Sequence, residues 1–545
     1  MNLILFAGAI LACGGILAPC AGRSDKLAAA TGMIAGIAGC AAGLAGALGT
    51  VCGLFDHAPD LLTGVFLLPI FLAGLPAVIH AKGYLEGHAD GRTKWFWMFF
   101  LWTLAAMVWV TLAKSPVEFL AAWETMGIMS FALVAFEYHE KSTLRASWIY
   151  LLACHAGAAF LIPAFIFGGT GLWLTGALIA GLIGFGLKLG FPLLHVWLPE
   201  AHPAAPAPVS AVMSGAMINL GFYGILRMPY ARDPETLAML GWILLILGLT
   251  GALGGILSAT AQRNLKRLLA YSSIENMGII GTGFGIGLLG AAYGNITAAA
   301  AGFAGAFLHM LNHAVLKGSL FLAAGSVLRG GGTLNMDKLG GLGKRMPKTF
   351  LSFLFSSISL SGLPPFNGFL GELLIYIAAF LMLCSGSVLL AAGLPDLLVY
   401  AVMGGLAAVS YVKAAGAVFL GEPRTQDADD AVERPAGMLL PLLIGAVFAF
   451  ILLFCAPYLI RMFSGLTASL TGLEIAPVAD TTDQLAVILA KVAIFSIFFF
   501  AVAALLLYLR RHLLPNGKNE KIKPTWDCGY AEPTARMEYT GTAFV

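Results

Sequence analysis

Lys188, Glu124, the triplet His309, His313 and Lys317, and Glu372 are ionisable residues set inside long apolar stretches. A charge at the centre of a bilayer costs about 2.5 to 3.5 kcal/mol on insertion scales, so each such residue needs a partner or a task. Lys188 suits proton loading, because desolvation weakens a lysine's hold on its proton and a nearby carboxylate restores it. Glu124 is the natural carboxylate. The plainer alternative is a static buried ion pair, which is weak evidence for stability. His309, His313 and Lys317 fall at i, i+4 and i+8 and share one helix face. Histidine titrates near neutral pH, which suits a proton relay, and the alternative is two buried, hydrogen-bonded imidazoles. The stretch His309-Met310-Leu311-Asn312-His313 lacks the glutamate and third ligand of a zinc helix, so no metal is expected. Glu372 is either a transport group or a packing acid. Lys266 and Glu275 are gate residues or ordinary loop charges, and Lys413 and Lys491 either snorkel or act.

The elements that must hold these residues are membrane helices. The chain has 545 residues, 59% hydrophobic and 11% charged, where a soluble domain carries about 25% charged residues. Nearly every window from Met1 to Arg511 holds about 18 or more apolar residues before the next charge cluster, enough to cross a bilayer as helix. Runs such as Ile243 to Leu257 do not alternate, which excludes a β-barrel. Eight cysteines are scattered without a C-x-x-C pair, so no metal cluster or redox centre is expected in this chain. The first apolar segment lacks a basic start and reads as a retained helix.

Charges, prolines and polar stretches divide the chain into about 15 spans, an all-α membrane protein. With the N-terminus outside, 23 of the 31 Lys and Arg fall in cytoplasmic loops, four on the exported side (Lys114, Arg227, Arg232, Arg461) and four within spans, as the positive-inside rule requires. The tail after Arg511, with Lys518, Lys521, Lys523 and Arg536, is then cytoplasmic. Proline breaks two spans, at Phe191-Pro192 through Pro208 and at Gly362-Leu363-Pro364-Pro365. Broken helices in corresponding positions point to two inverted five-helix repeats around an ion path. The organisation expected is N-terminal helices over 1–94, repeat halves over 95–228 and 229–421, C-terminal helices over 422–511 and a tail over 512–545. Glu422 to Arg434 reads as a solvated charged loop. Gly285, Gly287 and Gly290 match G-x-G-x-x-G without a preceding strand and read as packing glycines. Asn295-Ile296-Thr297 is a chance glycosylation sequon.

Four stretches carry a family resemblance: Lys188 to Gly215 (KLGFPLLHVWLPEAHPAAPAPVSAVMSG), Asn264 to Gly278 (NLKRLLAYSSIENMG), Phe307 to Gly325 (FLHMLNHAVLKGSLFLAAG) and Ser361 to Glu372 (SGLPPFNGFLGE). With the chain from about Lys114 to Leu420, they resemble the antiporter-like membrane subunits of respiratory complex I, membrane-bound hydrogenases and Mrp-type sodium/proton antiporters. SSIENMG and the closing WDCGY...PTARMEYTGTAF are most similar to the large membrane subunit of formate hydrogenlyase and hydrogenase-4 complexes. The resemblance implies that Glu124 and Lys188 are the family's glutamate–lysine pair, that His309 and His313 lie on its central hydrophilic axis, and that Glu372 fills its terminal Lys or Glu position. It also implies a prokaryotic cytoplasmic membrane, lipid and other membrane subunits as partners, and peripheral subunits holding Fe–S clusters with a NiFe site or flavin. No nucleic acid is expected. One departure is Asn219, where many complex I relatives carry a lysine; an amide cannot bind and release a proton at neutral pH. The link from Lys188 to the histidines would then run through water, His195 or His202, or be interrupted. The function implied is a proton-translocating subunit of an oxidoreductase complex. The alternatives are an Mrp-type Na+/H+ antiporter subunit and a membrane scaffold that no longer pumps.

Overall fold

A computed structural model describes residues 3–20, 24–55, 59–87, 91–168, 174–228, 232–513 and 538–544. Arg23, Lys518, Lys521, Lys523, Arg536, Cys528 and most of the expected tail lie outside the described residues. The helices are α1 (Leu3–Cys20), α2 (Asp25–Val51), α3 (Leu61–Leu85), α4 (Thr93–Leu112), α5 (Pro116–Val134), α6 (Lys141–Phe167), α7 (Leu174–Leu189) and α8 (Leu198–Ala204). They continue as α9 (Ala207–Arg227), α10 (Pro234–Thr260), α11 (Leu265–Ala292), α12 (Ile296–Gly331), α13 (Pro347–Leu360), α14 (Asn367–Cys384), α15 (Ser387–Phe419), α16 (Ala436–Thr471) and α17 (Ile475–Leu513). Among the described residues 14 helices are long and apolar enough to cross a membrane, and α7 is a shorter apolar one. The chain is therefore a multi-pass helical membrane protein.

Local chemistry sets the helix ends. Side chains of Asp60, Ser115, Asp233, Asn264 and Asn295 accept from amides in the first turns of α3, α5, α10, α11 and α12, satisfying donors with no partner inside the helix. Asn295, the sequon residue, thus caps α12, and its amide also donates to Ser385 Oγ at 2.7 Å. Both expected breaks are present. The chain leaves helix between Leu189 and Leu198, and again between α13 and α14 at Ser361–Phe366. At the first break the Trp197 indole donates to the Leu187 carbonyl at 2.7 Å, giving a freed acceptor a partner where lipid offers none.

The core is built around α12, whose 18-residue apolar window is wholly buried. Helices α3, α9, α11, α13, α14 and α16 pack on it. Small residues let α10 and α11 approach closely. A Cβ on Gly278 would strike the backbone of Ala252 and Gly248, and one on Gly285 would meet Leu245 and Gly241. Gly287 and Gly290 face Phe303 and Ala299 of α12 in the same way, so the G-x-G-x-x-G glycines are packing residues.

Loops meet on two faces. On the face where α1 begins, here the N-terminal face, Arg227 pairs with Asp60 at 2.5 Å and Tyr223 donates to the Thr111 carbonyl at 2.7 Å. On the opposite, basic face, Leu265 N donates to the Leu334 carbonyl and Gly341 N to that of Leu420, both at 2.9 Å. The segment expected as a solvated loop, Glu422 to Arg434, is instead a clasp. Arg424 donates to the carbonyls of Met336, Leu339 and Ala417 at 2.8 to 3.2 Å, Asp429 pairs with Arg345, and Glu433 accepts from Lys348 N and Thr349 Oγ1. Exposed turn carbonyls gathered at one point need a forked cation, and arginine supplies it. Glu538, in the last described stretch, joins the clasp by accepting from Glu422 N at 2.7 Å.

Candidate functional site: a buried row of ionisable residues

Three clusters of ionisable side chains lie inside the bundle. The first gathers at the break after α7. Lys188 is 4% exposed; its Nζ donates to Tyr150 Oη at 3.3 Å and to Cys154 Sγ at 3.5 Å. It also stands 5.6 Å from the Trp123 ring and 5.4 Å from the Tyr150 ring, within cation–π range. Tyr150 shares a 2.6 Å hydrogen bond with Ser130. Glu124, the carboxylate expected to partner Lys188, makes no ion pair with it and turns to His155 instead. Its Oε2 pairs with His155 Nδ1 at 2.8 Å on the half-exposed flank of α5 and α6, while Oε1 has no donor among the described residues. The reason is helical geometry: Glu124 follows Trp123, and successive residues turn to different sides of a helix. Trp123 takes the side facing Lys188.

The second cluster lies near the basic face. Lys266, on the first turn of α11, donates to the Ala205 carbonyl at 2.6 Å, an acceptor left free where α8 ends. His202 of α8 stacks on Phe321 at 4.8 Å, and His80 of α3 lies by Tyr84. Both imidazoles are fully buried, with no hydrogen-bond partner on their ring nitrogens among the described residues. Both are within electrostatic reach of Lys266, and His202 also of Lys317. Lys266 is thus a buried member of the row rather than a loop charge. His195 stands apart, part-exposed at the first break with its ring 6.4 Å from that of Tyr271.

The third cluster occupies the middle of the bundle. Lys317 Nζ donates to Ser272 Oγ at 2.6 Å, Tyr411 Oη at 3.2 Å and the Leu269 carbonyl at 3.3 Å. Ser272 donates to Glu275 Oε2 at 3.0 Å, so one hydroxyl bridges a buried lysine and a buried carboxylate. One turn on, Asn276 Nδ2 donates to the Ser272 carbonyl, and Asn276 Oδ1 lies 3.0 Å from His309 Nε2. With its NH2 engaged, Asn276 presents an acceptor, which assigns the proton to Nε2 and leaves Nδ1 free to receive another. His313 is buried on the same face, without a partner on its ring nitrogens among the described residues. Asn312 and Asn367 bond reciprocally at 2.7 and 3.0 Å, which ties α12 to the start of α14. Beside them Gly371 packs against His309, and Glu372 is 6% exposed. The Glu372 carboxyl fills the space at Gly362 where a side chain would stand, and Gly362 has φ +63°.

Between the first and third clusters runs α9, which carries a π-helical turn at Met213–Met217. Such turns leave backbone groups free and often mark functional sites. Tyr150 reaches Met217 Sδ at 3.4 Å from one side, and Ser214 bonds Ser273 at 2.7 Å on the other. Asn219 lies just past this turn; its amide donates to the Gly215 carbonyl at 2.9 Å and its Oδ1 has no donor among the described residues. The lysines outside the row are placed plainly. Lys413 donates to the Thr260 and Gln262 carbonyls at 2.6 and 2.8 Å, capping α10 as cations do at helix C-termini, and Lys491 is exposed on α17.

Of the residues expected from sequence, Lys188, His202, His309, His313, Lys317 and Glu372 are buried in these clusters, and so are Lys266 and Glu275, both of which sequence alone leaves open between gate and loop charge. Sequence reasoning missed Ser272, Tyr411, Asn276, Tyr150, His155 and His80. His80 and His155 were within reach, since each is an ionisable residue inside an apolar run; the hydroxyls and amides carry no such mark. Among the described residues no three His, Cys, Asp or Glu side chains converge as a metal site.

Residues 113–398 match the model of a family described as NADH:quinone oxidoreductase/Mrp antiporter, TM. The chain is 33% identical over 443 residues to hydrogenase-4 component B of Escherichia coli (strain K12), covering 77% of this chain and 65% of that one. It is 37% identical over 332 residues to formate hydrogenlyase subunit 3 of the same organism, covering 60% and 52%. The chain therefore spans less than two thirds of the length of either relative. In fold it is similar to a chain of the Mrp complex from Dietzia sp. DQ12-45-1b, with a TM-score of 0.71 at 21% identity, covering 89% of this chain and 99% of that one.

Proposed function

Because the chain belongs to the NADH:quinone oxidoreductase/Mrp antiporter transmembrane family, we propose that it is the proton-translocating antiporter-like subunit of a hydrogenase-type or complex I-like oxidoreductase. The observation that carries this reading is the Ser272 bridge between buried Lys317 and Glu275, continued by His309 toward Glu372. A lysine and a carboxylate held apart by one hydroxyl form a pair whose proton moves when either charge is disturbed. In the cycle we propose, protons enter from the basic face past Lys266 and His202 and rest on Lys317. When Glu275 is drawn away, the proton passes to Nδ1 of His309 and on to Glu372. Asn276 only orients the ring. Lys188, with Tyr150, is a second loading group whose charge acts on the first across α9.

The drive comes, in this reading, from electron transfer in peripheral partner subunits that hold Fe–S clusters with a NiFe site or flavin, beside further membrane subunits. The basic face is assigned to the cytoplasm of a prokaryotic cell, which places the N-terminus outside. The halves 95–228 and 229–421 are proposed as inverted repeats, each containing one proline-broken helix.

The test is purification from native membranes, identification of co-purifying chains, and reconstitution into proteoliposomes with a pH-sensitive dye. Pumping lost in K317A while the partner's redox turnover persists is the expected result. Unchanged pumping in K317A defeats the reading, and dependence on sodium would favour an Mrp-type exchanger. Asn219 favours a second reading, a scaffold that no longer pumps, because its amide is bound to Gly215 and cannot carry a proton. A complex that oxidises its donor without acidifying either side of the vesicle would select it.

A further inference from the structure

Asp396 is an acid with no part in the row described so far. It lies on α15 immediately after Pro395, is fully buried, and neither carboxylate oxygen meets a hydrogen-bond donor among the described residues. It is also the one buried aspartate among them. An unpaired carboxylate in an apolar interior is so costly that it is retained where a proton is held or exchanged.

Its surroundings lead in one direction. Tyr376 of α14 and Tyr400 of α15 meet edge to face at 5.2 Å, and both feel the charges of Glu372 and Asp396. Tyr400 donates to the Ile279 carbonyl at 3.1 Å and shares a 2.5 Å hydrogen bond with Thr282 of α11. At a rise of 1.5 Å per residue, Glu372 is about 18 Å from the end of α14, whereas Tyr376 is about 12 Å from that end and Asp396 about 14 Å from the start of α15. Both ends lie on the N-terminal face, where Asn295 bonds Ser385. Beyond Asp396, Pro395 has no N–H, which frees the Ala391 carbonyl one turn nearer that face. Gly393 lets α15 press against the Ala379 and Leu383 backbone of α14, keeping the two helices together at this level.

We propose that Asp396 receives the proton that Glu372 releases and delivers it to the N-terminal face. The proposal rests on the proton-translocation reading above and adds its outlet. One proton leaves the Glu372 carboxylic acid, which becomes a carboxylate. Because no hydroxyl contacts Asp396 among the described residues, the proton crosses through intervening water past Tyr376, and the Asp396 carboxylate becomes the acid. Asp396 then loses that proton to water at the N-terminal face, and Glu372 is reloaded from His309. The rival is an acid that keeps its proton permanently and merely packs.

The test uses the intact complex in proteoliposomes. D396N keeps the shape and removes the exchangeable proton; we expect at least a tenfold loss of protons moved per partner turnover, with D396E retaining pumping. In infrared difference spectra of turnover, a carboxylic-acid carbonyl band present in the wild type is expected to vanish in D396N. Wild-type pumping in D396N beside a dead K317A overturns the outlet alone, whereas wild-type pumping in K317A overturns the underlying reading. Should D396N not assemble, D396E carries the test: the band must move to the glutamic-acid frequency, and an unmoved spectrum overturns the proposal.

Discussion

Ser272 stands between Lys317 and Glu275, accepting from Nζ at 2.6 Å and donating to Oε2 at 3.0 Å. A bridge of this kind keeps the charges coupled without letting them collapse into a direct pair. Tyr411 fixes the geometry through its own 2.6 Å contact with Ser272. The S272A variant loses both bonds and leaves two buried charges under-satisfied, which costs about 1.5 to 3 kcal/mol for each bond to a charged group. Proton movement in S272A vesicles is expected to fall by about tenfold or more, the equivalent of 1.4 kcal/mol. A Y411F variant, which keeps Ser272, is expected to fall less. Equal dye quenching in S272A and wild type would show that the bridge has no part in transport.

Lys188 depends on Tyr150, not on Glu124, for its direct contact. In Y150F the ammonium retains, among the described residues, only the weak Cys154 acceptor and the ring faces, so pumping is expected to drop sharply at unchanged assembly. E124Q and H155A remove one and the same 2.8 Å pair. Their effects are therefore expected to be alike and non-additive, since residues in direct contact couple. A double-mutant cycle on pumping rate checks this, and fully additive losses would separate the two residues.

The spans were legible because hydrocarbon enforces a length and a charge pattern that any reader of the sequence can count. Both breaks were legible for the same reason, since proline at membrane depth can only mean freed backbone. Ionisable residues announce themselves by cost, which is why Lys188, Lys317 and Glu372 were found. Their partners were not, because helix rotation decides contact: whether Trp123 or Glu124 faces Lys188 is set by packing of α5 against α7. Ser272 and Asn276 lie in the SSIENMG stretch, but sequence alone gives them no role, because a polar uncharged residue in a membrane helix is ordinary. Asp396 obeys the rule that found Glu372. It lies within the apolar run of α15, directly after Pro395.

Gly362 holds the space that the Glu372 carboxyl occupies, with a backbone φ of +63°. Alanine there strains the left-handed conformation by about 1 to 2 kcal/mol and pushes the carboxyl aside. G362A is therefore expected to assemble with lowered thermal stability and to pump as poorly as E372Q. The neighbouring S361A, which loses only a 2.9 Å bond to the Ser357 carbonyl, is expected to pump nearly normally. Normal pumping in G362A would mean that the position of Glu372 at the break is incidental.

The Asp60–Arg227 pair lies on the N-terminal face, and its pH dependence has a definite sign. Burial alone would raise the Asp60 carboxyl, but the Arg227 guanidinium and the amide and hydroxyl of Thr63 outweigh it and hold the group below its ordinary value. A carboxyl held lower in the folded chain than in the unfolded one stabilises the fold above its ordinary range, and this support is lost as pH falls through the lowered value. The pair is about half exposed, with side-chain exposures of 36% and 52%, so the contribution is limited to about 1 kcal/mol or less. In detergent, wild-type protein is expected to lose a small part of its melting temperature between about pH 5 and pH 3, and the D60N–wild-type difference is expected to shrink over that interval. The comparison isolates Asp60, because every other carboxylate titrates in both proteins. A difference that stays constant or widens as the medium is acidified would show that Asp60 is not held ionised by Arg227.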